Sequence, residues 1–452
     1  MADEGGIWVG VLDLDGSDDV SAVHRPVGPA DERARVLVRM HGAPLGYVHE
    51  PVVPLQSLAS RLRARAKADL AAELRRHAEV DGLDAGDGDG WAARTACPRR
   101  FPGPGSAGIT LTVCTRDRPE SLRECLDAMR RVRYSPVEIL VVDNAPAGDE
   151  TRELVTALER CDARVKYTCE PRPGLSAARN HALDRASHDI IAFTDDDTLV
   201  DPGWPAALVA AFTADPDIVC VTGPVISGVL DTASERYFDA RYMDEWTFEP
   251  RRYDLAAYRR PVPLYPYNPG NFGTGANSAV RRSGIAGLEG LDPPLFDPLL
   301  GAGAPARGGE DLDTFLRVIL AGGRIGYVPA ALVWHRYRVG PRALASEVYC
   351  YGQGLGAYLA KHAASRQLRS GLLRYGPQIT GKLVHRTHQT SRANPIGATG
   401  RRLGVLETTG IVVGALRYWT AARRRTPDTR PPGYRTATPG GPGGGIRETA
   451  VQ

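Results

Sequence analysis

Three adjacent carboxylates close an apolar run in IIAFTDDDT, at Asp195, Asp196 and Asp197. Like charges this close repel one another, and the arrangement is costly unless a cation lies among them. Side chains alternate along a strand end, so Asp195 and Asp197 take related directions while Asp196 points elsewhere. Hard carboxylate oxygens with no cysteine nearby suit Mg2+ or Mn2+, which keep positions open for phosphate oxygens. A solvated acidic turn ahead of Pro202 accounts for the same residues without chemistry. A second acidic pair, Glu310 and Asp311, follows a Gly-rich loop and opens a stretch whose Leu312, Phe315, Leu316 and Ile319 share one helical face. Acids in a first helical turn are also favoured by the helix dipole alone.

Two further sites bear chemistry. PGLSAARN opens a helix whose free N–H groups favour negative charge, with Arg179 one turn further on. A diphosphate or nucleotide edge would use both; a structural ion pair would use only the arginine. Trp334-His335 ends the short apolar strand YVPAALVWH, and neutral imidazole is a competent metal ligand, although a lone histidine is more often structural.

These residues need strands to carry them. From Ile109 the sequence alternates apolar runs (ITLTVCT, VEILVVD, RVKYTCE, DIIAFTDDD, DIVCVTG) with helical stretches over 119–131, 149–160, 174–186 and 203–214. Continuous apolar strands each followed by a helix predict a Rossmann-like α/β domain, a parallel sheet covered on both faces. Ligands of such sheets bind beyond the carboxyl ends of the strands. Standing there are Thr115 to Asp117, Asp143-Asn144, Glu170 and Asp195 to Asp197. Residues 1–96 read as a small N-terminal α+β module and 97–108 as a Pro/Gly-rich linker. The main domain is then 109–345, with a C-terminal helical region over 346–422. The Arg-, Thr-, Pro- and Gly-rich tail over 423–452 has the composition of a disordered segment. The Tyr-, Arg- and Pro-rich stretch 237–269 reads as acceptor-side loops.

Composition narrows the function classes. In 452 residues the formal net charge is +3, which argues against wholesale nucleic-acid binding. Seven scattered cysteines without a C-x-x-C pair make a disulfide framework or zinc site unexpected. The acidic start MADEGGIWVG lacks the order of a signal peptide, and no apolar run reaches about 18 residues, so cytoplasmic residence is expected.

The ordered set VCTRDRPESL, EILVVDNAP, EPRPGLSAARN, IIAFTDDD, GGEDLDTFLR and VWH, over roughly residues 109–340, resembles the family 2 glycosyltransferases, which are inverting enzymes of GT-A fold, here of an actinobacterial type with an N-terminal extension. The resemblance implies that Thr115, Arg116 and Asp117 hold the base and ribose of a nucleotide-sugar donor. It implies that Asp143 accepts hydrogen bonds from the nucleobase or ribose. Arg179, Asp195 and Asp196 would complete the nucleotide-sugar site, and Asp195, Asp197 and His335 would hold Mn2+ or Mg2+. Asp311, beside Glu310, would be the general base. Asn271, Gly275 and Asn277 in GNFGTGANSAV resemble the strand pair lining the sugar site. UDP is the family's commonest nucleotide, and the acceptor would be a glycan, a lipid-linked molecule or a small molecule. Cell-envelope polysaccharide and natural-product glycosylation are the settings this implies.

Three other functions compete. A sugar-phosphate nucleotidyltransferase also uses metal and nucleotide, but it carries a Gly-rich basic loop after the first strand where this chain has CTRDRPE. A non-catalytic carbohydrate-binding protein would tolerate loss of the acids, and all are present. A dinucleotide-dependent oxidoreductase would need G-x-G-x-x-G after ITLTVCT. Finally, LGVLETTGIVVGALRYW over 403–419 is apolar but broken by Glu407 and Arg417, with arginines around it. It suits either a helix lying through 403–425 on the inner, anionic face of the cell membrane or a terminal helix docked on its own domain.

Overall fold

The computed structural model describes residues 5–15, 20–53, 55–80, 107–242, 247–256, 264–337, 339–366, 368–374 and 397–424. The expected linker, apart from Ala107 and Gly108, and nearly all of the expected tail lie outside them, as does Cys97.

The N-terminal part is a four-stranded sheet backed by two helices. Strands β1 (Gly6–Asp13), β2 (Val20–Ala22), β3 (Asp31–Met40) and β4 (Ala43–Pro51) run in the order β2-β1-β3-β4, with α1 (Leu58–Asp69) and α2 (Ala71–Val80) following. Side chains of successive strand residues face opposite ways. Trp8, Leu12, Val36 and Val38 therefore pack on Leu62 and Leu74 of the two helices, while Val9, Val11 and Leu37 join the core of the larger domain. Arg39 fastens the junction, pairing with Asp13 at 2.7 Å and with Asp201 of the larger domain at 2.6 Å.

The larger domain is built on β5 (Ile109–Thr115), β6 (Val137–Asn144), β7 (Val165–Glu170) and β8 (Ile190–Asp195), which are mutually parallel. They alternate with α3 (Pro119–Arg130), α4 (Glu150–Glu159) and α5 (Leu175–Arg185). Then come β9 (Thr198–Val200), α6 (Trp204–Ala214), β10 (Ile218–Thr222), β11 (Val225–Ser227), α7 (Ala233–Tyr242) and β12 (Arg251–Tyr253). The chain continues through β13 (Asn277–Arg281), α8 (Arg282–Ala286), α9 (Glu310–Leu320), β14 (Arg324–Tyr327), β15 (Val333–His335), α10 (Pro341–His362) and α11 (Gly397–Arg424). Helix α7 replaces the loop expected at the start of the 237–269 stretch.

The eight-stranded sheet has the order β12-β14-β10-β13-β8-β5-β6-β7. It is mixed rather than wholly parallel. Strand β13 lies antiparallel between β8 and β10, and β12 antiparallel to β14. Apolar runs report burial on both faces and carry no direction, so the reversed strand was invisible in the pattern. One face packs Leu111, Val113, Ile139 and Val141 on Leu126, Met129 and Leu208; the other packs Leu140, Val142, Ile191 and Phe193 on Ala178, Ala182, Phe315 and Ile319. A small sheet, β11-β15-β9, pairs His335 with Thr198, the residue after the acidic triplet. No helix among the described residues is long and apolar enough to cross a membrane.

Candidate active site

The acidic triplet sits where β8 ends, and its turn is pinned from several sides. The Thr198 hydroxyl donates to the Asp195 carbonyl at 2.7 Å, and the Thr194 hydroxyl donates to the Ala276 carbonyl at 2.9 Å. The Ser121 hydroxyl donates to the Asp196 carbonyl at 2.9 Å. The three carboxylates then part. Asp195 meets Arg179 at 3.3 Å. Asp196 accepts from the Thr115 hydroxyl at 2.7 Å and pairs with Arg118. Asp197 pairs with Arg118 at 3.1 Å and stands 3.4 Å from His335 Nε2. Burial, opposed by Arg118, pushes the Asp196 carboxyl up to about 6, and burial likewise raises Asp195 against the pull of Arg179.

Arg118 is the residue that the sequence reading missed. It lies just before α3, next to the Asp117 assigned to the nucleotide, and nothing in its spacing shows that it turns back to clamp two of three acids some 80 positions away. Thr115 and Asp196 are mostly buried and hydrogen-bonded to each other, and both border the cavity that runs to the acidic triplet. Arg116 and Asp117 are exposed, and the Asp117 carboxylate accepts from Ala147 N–H at 2.8 Å, joining the loops after β5 and β6. Asp143 is buried and accepts from the Tyr167 hydroxyl at 3.0 Å, while its Oδ1 has no partner; burial raises its carboxyl.

Arg179 is 2% exposed and fully engaged. It donates to Glu310 at 3.1 Å, to Asp195 at 3.3 Å and to the Gly275 carbonyl at 3.2 Å. Its place is that of a buried counter-charge among acids, in keeping with the ion-pair alternative rather than with an extended phosphate contact. Asn277 requires a correction. It is wholly buried, its amide donates to the Pro224 and Ala331 carbonyls at 2.9 and 2.6 Å, and its carbonyl accepts from Trp204 Nε1 at 2.8 Å. Every polar atom is spent inside the fold, so it lines no sugar site. Asn271 sits in a short turn before Phe272, its carbonyl accepting from the Tyr253 hydroxyl. Gly275 does lie in the cleft.

Helix α9 brings the second acidic pair. Gly309, at φ 84°, makes the left-handed turn into it, and a side chain there would strike the backbone of Gly354 in α10. Glu310 is buried between Arg179 and the cleft, and burial together with Asp311 raises its carboxyl. Asp311 accepts from Gly275 N–H at 3.0 Å and from Leu312 N–H at 2.8 Å, which fixes the plane of its carboxylate.

Three cavities meet at Asp195. One of about 330 Å³ runs along Thr115, Arg116, Arg118 and Asn144 to the acidic triplet. One of about 870 Å³ takes in Asp195, Asp197 and His335, with Glu347, Tyr351 and Arg417 opposite. The third, about 490 Å³, is lined by Arg179, Asp195, Glu310, Asp311, His335 and Tyr337 among others. Asp195 and Asp197 thus share the second cavity while Asp196 does not. Two carboxylates and an imidazole border this space, and donors of that kind suit a hard divalent cation. Among the described residues no group of three or more His, Cys, Asp or Glu side chains is placed so that it could hold a metal ion.

Residues 110–285 match the family described as glycosyl transferase family 2; Asp311 and His335 lie beyond that segment. The pre-mycofactocin glycosyltransferase of Mycobacterium tuberculosis (strain H37Rv) is 27% identical over 270 residues, 60% of this chain and 51% of that protein. The chain therefore spans about half the length of that relative. The succinoglycan biosynthesis protein ExoM of Rhizobium meliloti is 29% identical over 321 residues, covering 70% of this chain and 87% of its own. Among solved structures, the mannosyltransferase PcManGT of Pyrobaculum calidifontis, in complex with GDP-Man and Mn2+, shares 18% identity. It covers 69% of this chain and 86% of its own at a TM-score of 0.42. With the acidic triplet at the end of β8 and the cleft around it, the segment from residue 110 to residue 285 is a glycosyl transferase family 2 domain.

Proposed function

We propose that the protein transfers a sugar from a nucleoside-diphosphate donor to an acceptor hydroxyl, with inversion at the anomeric carbon. The observation that carries this reading is the meeting of three cavities at Asp195. They share Asp195 and differ in the rest of their linings only in part. The narrow one, beyond the ends of β5, β6 and β8, takes the nucleotide beside Thr115, Arg116 and Asn144. The one holding Asp311 takes the acceptor.

Rupture of the bond from sugar to diphosphate builds positive charge on the sugar and negative charge on the leaving group. Mn2+ or Mg2+ held by Asp195, Asp197 and His335 would supply Lewis-acid stabilisation of that departing negative charge. Arg118 and Arg179 hold the acids in place from behind, so the side chains need little reorganisation when donor binds. The Asp311 carboxylate, oriented by two backbone N–H groups, takes the proton from the acceptor hydroxyl as that oxygen attacks. Direct displacement of the diphosphate by the acceptor oxygen, with Asp311 as its base, inverts the anomeric centre.

The test does not require the acceptor. With Mn2+ and a panel of UDP-, GDP- and dTDP-sugars, slow transfer to water should release nucleoside diphosphate from one donor class. Asp311→Asn should lower that rate by about 10²–10⁴ while leaving donor affinity intact. Absence of release from every donor, or an Asp311→Asn variant as fast as wild type, would remove the reading.

A further inference from the structure

We propose that the outward face of α11, formed by Val405, Val412, Leu416 and Trp419 between Arg402, Arg423 and Arg424, seats the protein on an anionic lipid surface. This does not depend on the glycosyl-transfer reading.

The helix pair α10 and α11 packs with its small residues inward. Gly352 and Gly356 of α10 lie against the backbone at Glu407 and Ile411 of α11, while Gly410 and Gly414 lie against Tyr349 and Gln353. Contacts rise together along both helices, so the two run parallel with backbones touching, and a methyl group at any of these glycines would collide with a carbonyl. In water a helix pair buries its large apolar side chains between the helices and exposes small or polar ones. Here that order holds only in part: Leu344 and Val348 of α10 do bury Leu403 of α11, but large apolar side chains also face outward. The glycines occupy the seam, and Val405, Val412, Leu416 and Trp419 stand outside, 66, 57, 55 and 51% exposed. Such packing, in which close backbone approach replaces apolar burial, suits a helix with another apolar phase on its far side.

The remainder of the face agrees. At 100° per residue, Arg402, Val405, Thr409, Val412, Leu416, Trp419 and Arg423 form one stripe. Its threonines are drier than their composition suggests: the Thr408, Thr409 and Thr420 hydroxyls donate back to the carbonyls of Gly404, Val405 and Leu416 at 2.9, 2.8 and 3.0 Å. The acid of α11, Glu407, faces inward and pairs with Arg241 at 2.5 Å. Arg423 lies over the Trp419 ring at 5.9 Å, a cation beside an amphipathic aromatic of the kind that anchors helices at an interface.

Charge names the occupant. From Arg366 to Arg425 the sequence holds twelve Lys and Arg against Glu407 alone, in a chain whose net charge is +3. A second copy would oppose this cationic face with its own like charge. The sequence over 375–396 contains no acid, and 425–452 adds arginines, so neither complements it. An acidic phospholipid headgroup layer over acyl chains matches both the arginines and the apolar stripe.

The experiment is flotation of the full chain with phosphatidylglycerol-containing vesicles and with pure phosphatidylcholine vesicles, at low and high salt. Wild type should float with the anionic vesicles, less with the zwitterionic ones, and less again in high salt. Val412→Glu with Leu416→Glu should reduce binding at least about tenfold. Replacing Arg402, Arg423 and Arg424 by Gln should reduce it roughly a hundredfold, since each cation near the surface contributes about 1 kcal/mol. These side chains are exposed, so melting temperature should stay at the wild-type value and serves as the folding control. No flotation of wild type, equal flotation of the apolar variant, or a wild-type dimer that Val412→Glu with Leu416→Glu converts to monomer without any vesicle binding would each overturn the proposal.

Discussion

Replacing Arg179 by Met separates a buried counter-charge from a ligand contact. Its side chain is 3% exposed and that of Glu310 9%, whereas Asp195 is 36% exposed toward the cavities. Loss of the guanidinium leaves Glu310 buried without its cation, while Asp195 can be rehydrated. Breaking a buried pair from one side costs about 3–5 kcal/mol, so Arg179→Met should destabilise the domain by about 4 kcal/mol. For a domain of this size that is a fall of roughly 10 °C in melting temperature. Most of the penalty sits on Glu310, so adding Glu310→Gln should recover more than half of it, leaving a deficit of about 1–2 kcal/mol. Urea unfolding of wild type, both single variants and the double variant closes the cycle. If Arg179→Met is as stable as wild type, or the two substitutions simply add, the buried-triad account is wrong.

Asn277→Ala should act on stability rather than on substrate. Three buried hydrogen bonds are lost, about 3 kcal/mol in total, and the donor KM of the folded fraction should match wild type; an increased KM would return Asn277 to the sugar site. Asp313 is fully buried on α9, and Lys361 and His362 of α10 reach it at 2.8 and 2.9 Å. Burial alone would raise its carboxyl, but the bond from His362 and the charge of Lys361 outweigh that and hold it below the ordinary carboxylate value. Its folded value is depressed, so its stabilisation is present above about pH 4 and is lost as pH falls through the folded value. Asp313→Asn should cost about 3 kcal/mol at pH 7 and leave a shallower acid limb in thermal melts; an unchanged limb would contradict the assignment.

The sequence exposed what local pattern encodes. Apolar runs followed by helical stretches locate β5 to β8 with the helices after them within a residue or two, and the triplet at Asp195 to Asp197 marks the end of β8. What it concealed was pairing across distance. Arg118 meets Asp196, Arg179 meets Glu310 across 131 positions, and β13 enters the sheet reversed; no periodicity records any of these. Asn277 was misread because glycines beside an asparagine look like room for a ligand, whereas here Gly275 lies against the Arg179 guanidinium and the distant Gly223 lies against the Asn277 amide. His335 was visible only as the end of a short apolar strand. Its approach to Asp197 comes from the register of β15 on β9, which one strand's sequence does not carry.

Asp195 and Asp197 are proposed here to build a metal-dependent nucleotide site. Titration calorimetry of UDP, GDP and dTDP, each with and without Mn2+, on wild type and an Asp195→Ala, Asp197→Ala double variant tests it directly. One nucleotide should bind wild type only with metal, and the double variant should lose that binding. Metal-independent binding, or a double variant that binds as tightly as wild type, would contradict it.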